Sequence, residues 1–355
     1  MGNSLSNRHI IPFYILRTVR RPQSEGSSSS VPQMYGKKLW EAFYTGQILH
    51  FAWRILTHSL PTPSNLLRRH LVSTSDVPID PSRNLWLRLF VPNTTNPSNK
   101  LPLIVYFHGG GFNTFGPNSK CYDELCRHLA AKVPAVIASI NYRLAPEHRY
   151  PCQYDDCYSA IKFIDDQKDC TFLPPNTDIK KCFVAGDSAG GNIAHHVTFR
   201  AHQNSHEFEN MKIIGVLLVQ PFFGGEERTE SELRLKKAPV IDVKQTDWMW
   251  RMFLPEGADR DHRAVNVWMD SEVVNEMKGL EFPNVFVVVG GYDPLQDWQR
   301  RYVDGLKKCG KQVEVIEFPQ AIHGFYVFPE VKEFDSFVSS VTKFIHKQCT
   351  FSEIS

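Results

Sequence analysis

The chain of 355 residues, 42% hydrophobic and 12% aromatic, can bury a sizeable core, and it is long enough for one large α/β domain with an appended cap or for two domains. Its net charge of +2 excludes a bulk electrostatic attraction to nucleic acid. No apolar run approaches the roughly 20 residues that span a bilayer. The eight cysteines form neither a CxxC pair nor a zinc spacing, and with no secretory signal in view they predict reduced thiols in a cytosolic protein.

Residues 1–33 read as a poorly ordered tail with scattered arginines and the run Ser27-Ser28-Ser29-Ser30. Gly2 with Ser6 matches an N-myristoylation pattern. Arg8, Arg17, Arg20 and Arg21 would supply the second, electrostatic signal that one acyl chain needs for a weak peripheral attachment to anionic lipid. From 34 to 60, Leu39, Phe43, Phe51 and Ile55 recur at helical steps, and Pro61 and Pro63 stop the pattern. Residues 34–70 therefore predict cap helices that either pack or lie over a substrate pocket.

Residues 72–92 alternate, with Leu85, Leu87 and Leu89 opposed to Trp86, Arg88 and Phe90, and predict one early strand. A polar loop follows. Leu101–Phe107 is a continuous apolar run of strand length, as expected of a buried parallel strand. It leads into His108-Gly109-Gly110-Gly111-Phe112. Three glycines there let backbone N–H groups turn towards a ligand oxygen with no side chain in the way, the pattern of an HGGG-type oxyanion loop. His108 precedes the candidate nucleophile and reads as structural.

Further strands are expected at 134–141, 181–185, 213–220, 285–289 and 313–318, with helices at 154–165, 192–202, 298–310 and 334–347. His195 and His196 are neighbours on a helix and diverge in direction, which makes them poor co-ligands. The second strand of this series, 181–185, runs into Gly186-Asp187-Ser188-Ala189-Gly190, a Gly-x-Ser-x-Gly turn between strand and helix. Such a turn exposes the serine hydroxyl at its tip, and the helix behind it points its positive end where negative charge develops in acyl transfer. Residues 224–279 are dense in charge, carry Trp248, Trp250 and Trp268, and show no strand pattern, which predicts a helical cap insertion.

A serine hydroxyl needs a base, and the base needs an acid that fixes its tautomer. Ser188, Asp293 and His323 follow in that order, each just beyond an expected strand. Asp297 is the rival acid, placed inside the next helix. On this reading no cofactor and no metal are required.

The stretches 108–112, 141–147, 186–192, 292–297 and 323–325, with 72–92 as a looser match, resemble the plant carboxylesterases of the hormone-sensitive-lipase-like group, α/β-hydrolases related to the gibberellin receptor. The resemblance spans about 72–347. It implies an α/β-hydrolase fold, a mostly parallel sheet flanked by helices, over residues 71–350. It also implies Ser188 as nucleophile, Asp293 as acid, His323 as base, and an oxyanion hole from Gly109, Gly110 and the N–H of Ala189. Receptors of this group resemble the enzymes but lose the histidine, so His323 favours hydrolysis of a small-molecule ester over hormone reception. The N-terminal region departs from the group's pattern before the first strand.

Overall fold

The structure is a computed structural model and describes residues 71–93, 99–166 and 172–354. The expected tail, the cap helices of 34–70 and the Gly2 acylation pattern lie outside the described residues. Eight strands form one sheet: β1 Val72–Asp80, β2 Leu85–Pro92, β3 Leu101–Phe107, β4 Val136–Asn141, β5 Thr177–Asp187, β6 Ile213–Val219, β7 Asn284–Tyr292 and β8 Val313–Ile322. Their order across the sheet is β1-β2-β4-β3-β5-β6-β7-β8. β1 and β2 pair antiparallel, β2 joins β4 antiparallel, and the pairs from β4 to β8 are parallel.

The single early strand expected over 72–92 is instead a hairpin. Its turn is built by Asp80, whose carboxylate accepts the Ser82 N–H at 3.0 Å, and by Asn84 at φ 50°. Asp80, Pro81, Ser82 and Asn84 are turn residues for those reasons, and they interrupt an alternation that is otherwise continuous.

Alternation along the inner strands sorts side chains to two faces. Val105, Phe107, Val184, Leu218 and Val287 pack on one side, with helices α2 (Cys152–Asp166), α3 (Ala189–Gln203) and α7 (Gln296–Lys308). Ile104, Tyr106, Phe183, Leu217 and Phe286 pack on the other, with α1 (Lys120–Lys132) and α8 (Glu333–Ile354). Burying each such side chain contributes about 1.5–3 kcal/mol, so both faces must be covered. α1 has no counterpart among the sequence expectations, although Tyr122, Leu125, Cys126 and Leu129 recur at three- and four-residue steps and are buried. The segment between β6 and β7 holds three helices, α4 (Glu230–Arg234), α5 (Val243–Phe253) and α6 (Ser271–Gly279). Among the described residues no helix is long and apolar enough to cross a membrane.

Candidate active site

The site lies at the carboxyl ends of the parallel strands, where open α/β sheets place their ligands. β5 turns sharply into α3 at Ser188, which sits at φ 49° and ψ −119°. Such a backbone is strained for a residue with a Cβ. It is held by two hydrogen bonds, from the Ser188 N–H to the Val219 carbonyl at 2.9 Å and from the Phe222 N–H to the Ser188 carbonyl at 2.8 Å. The turn also requires glycine at 190, where a Cβ would lie 1.9 Å from the Phe107 carbonyl oxygen.

Asp293 follows β7 and His323 follows β8. His323 Nδ1 lies 2.8 Å from Asp293 Oδ2, and its Nε2 lies 3.0 Å from Ser188 Oγ. A carboxylate only accepts, so Nδ1 carries the proton and Nε2 is free to accept from the serine hydroxyl. The exposures of the three residues are 0% for Asp293, 4% for His323 and 8% for Ser188, so the chain of bonds is nearly dry. The Leu295 N–H and the Gln299 amide, both at 2.9 Å, complete the shell of Asp293. Asp297 is directed elsewhere: it accepts the Ser231 N–H at 2.8 Å and pairs with Arg300 at 3.3 Å.

The carboxylate of Asp187 is buried beside the serine. Its Oδ1 accepts from Tyr106 at 2.7 Å and the Gly109 N–H at 3.0 Å, and its Oδ2 accepts from Tyr122 at 2.9 Å and Tyr326 at 2.8 Å. Burial raises the Asp187 carboxyl above its ordinary range, and the three hydroxyl bonds oppose that rise. Burial likewise lifts the three phenols well above theirs, which keeps them protonated donors. Sequence reasoning missed this cluster. Its only local signal is a carboxylate inside an otherwise apolar turn, and the tyrosines that satisfy it are far away in the chain.

The cluster also corrects the expected oxyanion donors. The Gly109 N–H is committed to Asp187, and the residues that border the cavity are Gly110 and Gly111. Gly110 is one of the expected donors, and Gly111 was not anticipated. Ala189 opens α3, so its N–H belongs to the first turn, which has no partner within the helix. His108 is structural: its Nδ1–H donates to the Gly109 carbonyl at 2.8 Å, its ring stacks on Tyr142, and burial pushes its pKa down to about 4. His195 is buried against the Tyr302 hydroxyl at 2.9 Å, and His196 lies 3.3 Å from the Ala264 carbonyl.

Above Ser188 lies a cavity of about 80 Å³ with a mostly apolar lining. Its far wall comes from the segment between β6 and β7, through Val240, Ile241, Gln245, Thr246 and Met249. Among the described residues no cluster of His, Cys, Asp and Glu is arranged to hold a metal ion. The arrangement offers a serine hydroxyl, an acceptor for its proton, and backbone N–H groups beside it.

Residues 104–327 match the profile of a family with an alpha/beta hydrolase fold. A gibberellin receptor of Arabidopsis thaliana is 40% identical over 300 residues, covering 81% of this chain and 84% of its own. A 3-O-acetylpapaveroxine carboxylesterase of Papaver somniferum is 36% identical over 302 residues, covering 82% of this chain and 92% of its own. Among solved structures, a thermophilic carboxylesterase cloned from a metagenomic library superposes with a TM-score of 0.70 at 26% identity, covering 85% of this chain and 95% of its own.

Proposed function

The chain belongs to the α/β-hydrolase fold family, and from that premise we propose that it is a serine carboxylesterase acting on a small-molecule ester. Ser188 Oγ attacks the ester carbonyl while His323 Nε2 takes its proton, and Asp293 holds the imidazole in the required tautomer and stabilises the imidazolium. The N–H groups of Gly110, Gly111 and Ala189 receive the oxyanion. His323 then gives its proton to the departing alkoxide, which leaves as the alcohol, and an acyl-enzyme remains. Water activated by His323 releases the acid and restores Ser188. The observation that carries this reading is the unbroken chain of hydrogen bonds from Asp293 through His323 to Ser188. The small apolar cavity favours short, uncharged acyl groups.

A second reading is a hormone receptor without turnover, favoured by the 40% identity to a gibberellin receptor. Colour release from a series of p-nitrophenyl esters separates the two. The esterase reading expects turnover that Ser188→Ala lowers by about 10⁴-fold or more. Absence of turnover in the purified wild type, with Ser188→Ala indistinguishable from it, leaves the receptor.

A further inference from the structure

The tetrapeptide 219–222, which begins with the last residue of β6, touches both partners of the reacting pair. Its backbone clasps Ser188 through the Val219 carbonyl and the Phe222 N–H. Between those two contacts, Gln220 sends its side chain to the loop that carries His323. The Gln220 Oε1 accepts the Gly324 N–H at 2.9 Å, and its Nε2 donates to the Ile322 carbonyl at 3.2 Å. The two bonds therefore grip the backbone immediately before and immediately after His323. Gln220 has no exposed surface. It adopts φ 45°, a region that residues with a Cβ seldom occupy, and its own N–H is tied to the Val288 carbonyl at 2.9 Å. Room for the amide exists because residue 290 is glycine, whose added Cβ would lie 2.2 Å from Gln220 Nε2.

We propose that Gln220 is a positioning residue that sets the distance between Ser188 Oγ and His323 Nε2. Asp293 fixes the tautomer and the direction of the imidazole through Nδ1, but a bond at that nitrogen leaves the ring free to approach or recede with its loop. Gln220 removes that freedom by fastening the loop to the strand end that already holds the serine. Its amide supplies one donor and one acceptor, the pair that the loop offers in complement, so neither an aliphatic nor a carboxylate side chain of similar length replaces it. The strained backbone is consistent with a residue over-determined by its surroundings at a functional site. A misplacement of about 1 Å in such a site costs on the order of 10²-fold in rate.

This inference rests on the esterase reading for its kinetic test, and a spectroscopic test stands apart from it. Gln220→Met keeps the length and loses both bonds. Gln220→Glu keeps the acceptor towards Gly324 and loses the donor towards Ile322. With a p-nitrophenyl ester, Gln220→Met is expected to lower kcat by about 10²-fold with KM within about twofold of wild type, because the loss falls on the reacting geometry. Gln220→Glu is expected to fall between Gln220→Met and wild type, and it carries the kinetic test if Gln220→Met fails to fold. In the wild type, the proton between His323 Nδ1 and Asp293 is expected as a resolved low-field NMR resonance that His323→Ala removes. In the Gln220 variants the unfastened loop admits solvent exchange at that proton and the resonance broadens, while thermal unfolding verifies that they are folded. A folded Gln220→Met with kcat within about threefold of wild type overturns the proposal and leaves the esterase reading standing. If the wild type itself shows no turnover, that reading falls, and an unchanged low-field resonance in whichever Gln220 variant folds then overturns the positioning role as well.

Discussion

The two walls of the cavity are held in place by different physics. The wall on the sheet side, with Gly110, Gly111, Ser188 and His323, is set by backbone hydrogen bonds, by positive φ angles and by two buried carboxylates, Asp187 and Asp293. The facing wall, from Val240 to Met249, is carried by a helix start capped reciprocally by Asp242 and Gln245, and it presents mostly apolar side chains. On the first wall almost every atom has one permitted position. On the second, size and shape matter more than identity, so the esterase reading assigns the chemistry to the first and the choice of substrate to the second.

The largest effect that can test this division is on the acid. Asp293→Asn is expected to lower kcat by about 10⁴-fold, through the wrong imidazole tautomer. Asp297→Asn, which faces Ser231 and Arg300 instead, should stay within about tenfold of wild type. Steady-state kinetics on both variants decides the assignment, and a worse Asp297→Asn breaks it. The next effect is on stability. Asp187→Ala strands three buried hydroxyls and the Gly109 N–H, and each unpaired buried group costs about 1–3 kcal/mol. Denaturant unfolding should show a loss of at least about 3 kcal/mol, and an unchanged midpoint would remove Asp187 from the rigid wall. The smallest effect is expected across the cavity. Met249→Ala should alter the ratio of kcat/KM between butyryl and acetyl esters by about tenfold, in favour of the longer chain, the low end of the roughly 10–200-fold that one methylene in an apolar pocket is worth. A drop shared equally by all acyl lengths would mean that the two walls do not divide the work in this way.

The rigid wall was the more legible in the sequence. The strand, turn and helix around Ser188 are contiguous, and the order Ser188, Asp293, His323 can be read because each residue sits just past an apolar run. What escaped was nonlocal. Nothing beside Gly109 announces that its N–H faces Asp187 rather than the cavity. Tyr106, Tyr122 and Tyr326 are unremarkable where they stand in the chain, and only the fold gathers them. The hairpin at Asp80–Asn84 was written in turn residues but masked by the alternation on both sides. The far wall gave a helical texture and no more, since its side chains acquire meaning only from what they face.

The spread of Asp187's partners along the chain bears on biosynthesis. Asp187 and Tyr326 are 139 residues apart, and Ser188 and His323 are 135 apart. A nascent chain emerging from the ribosome carries its serine and glycine loop long before β8 exists. Contacts of such long range close late and slowly. The serine therefore stays unarmed, and the carboxylate beside it one donor short, until residues beyond 326 are free to fold. Premature termination between residues 188 and 323 yields a polypeptide that carries Ser188 but lacks the imidazole that faces its hydroxyl.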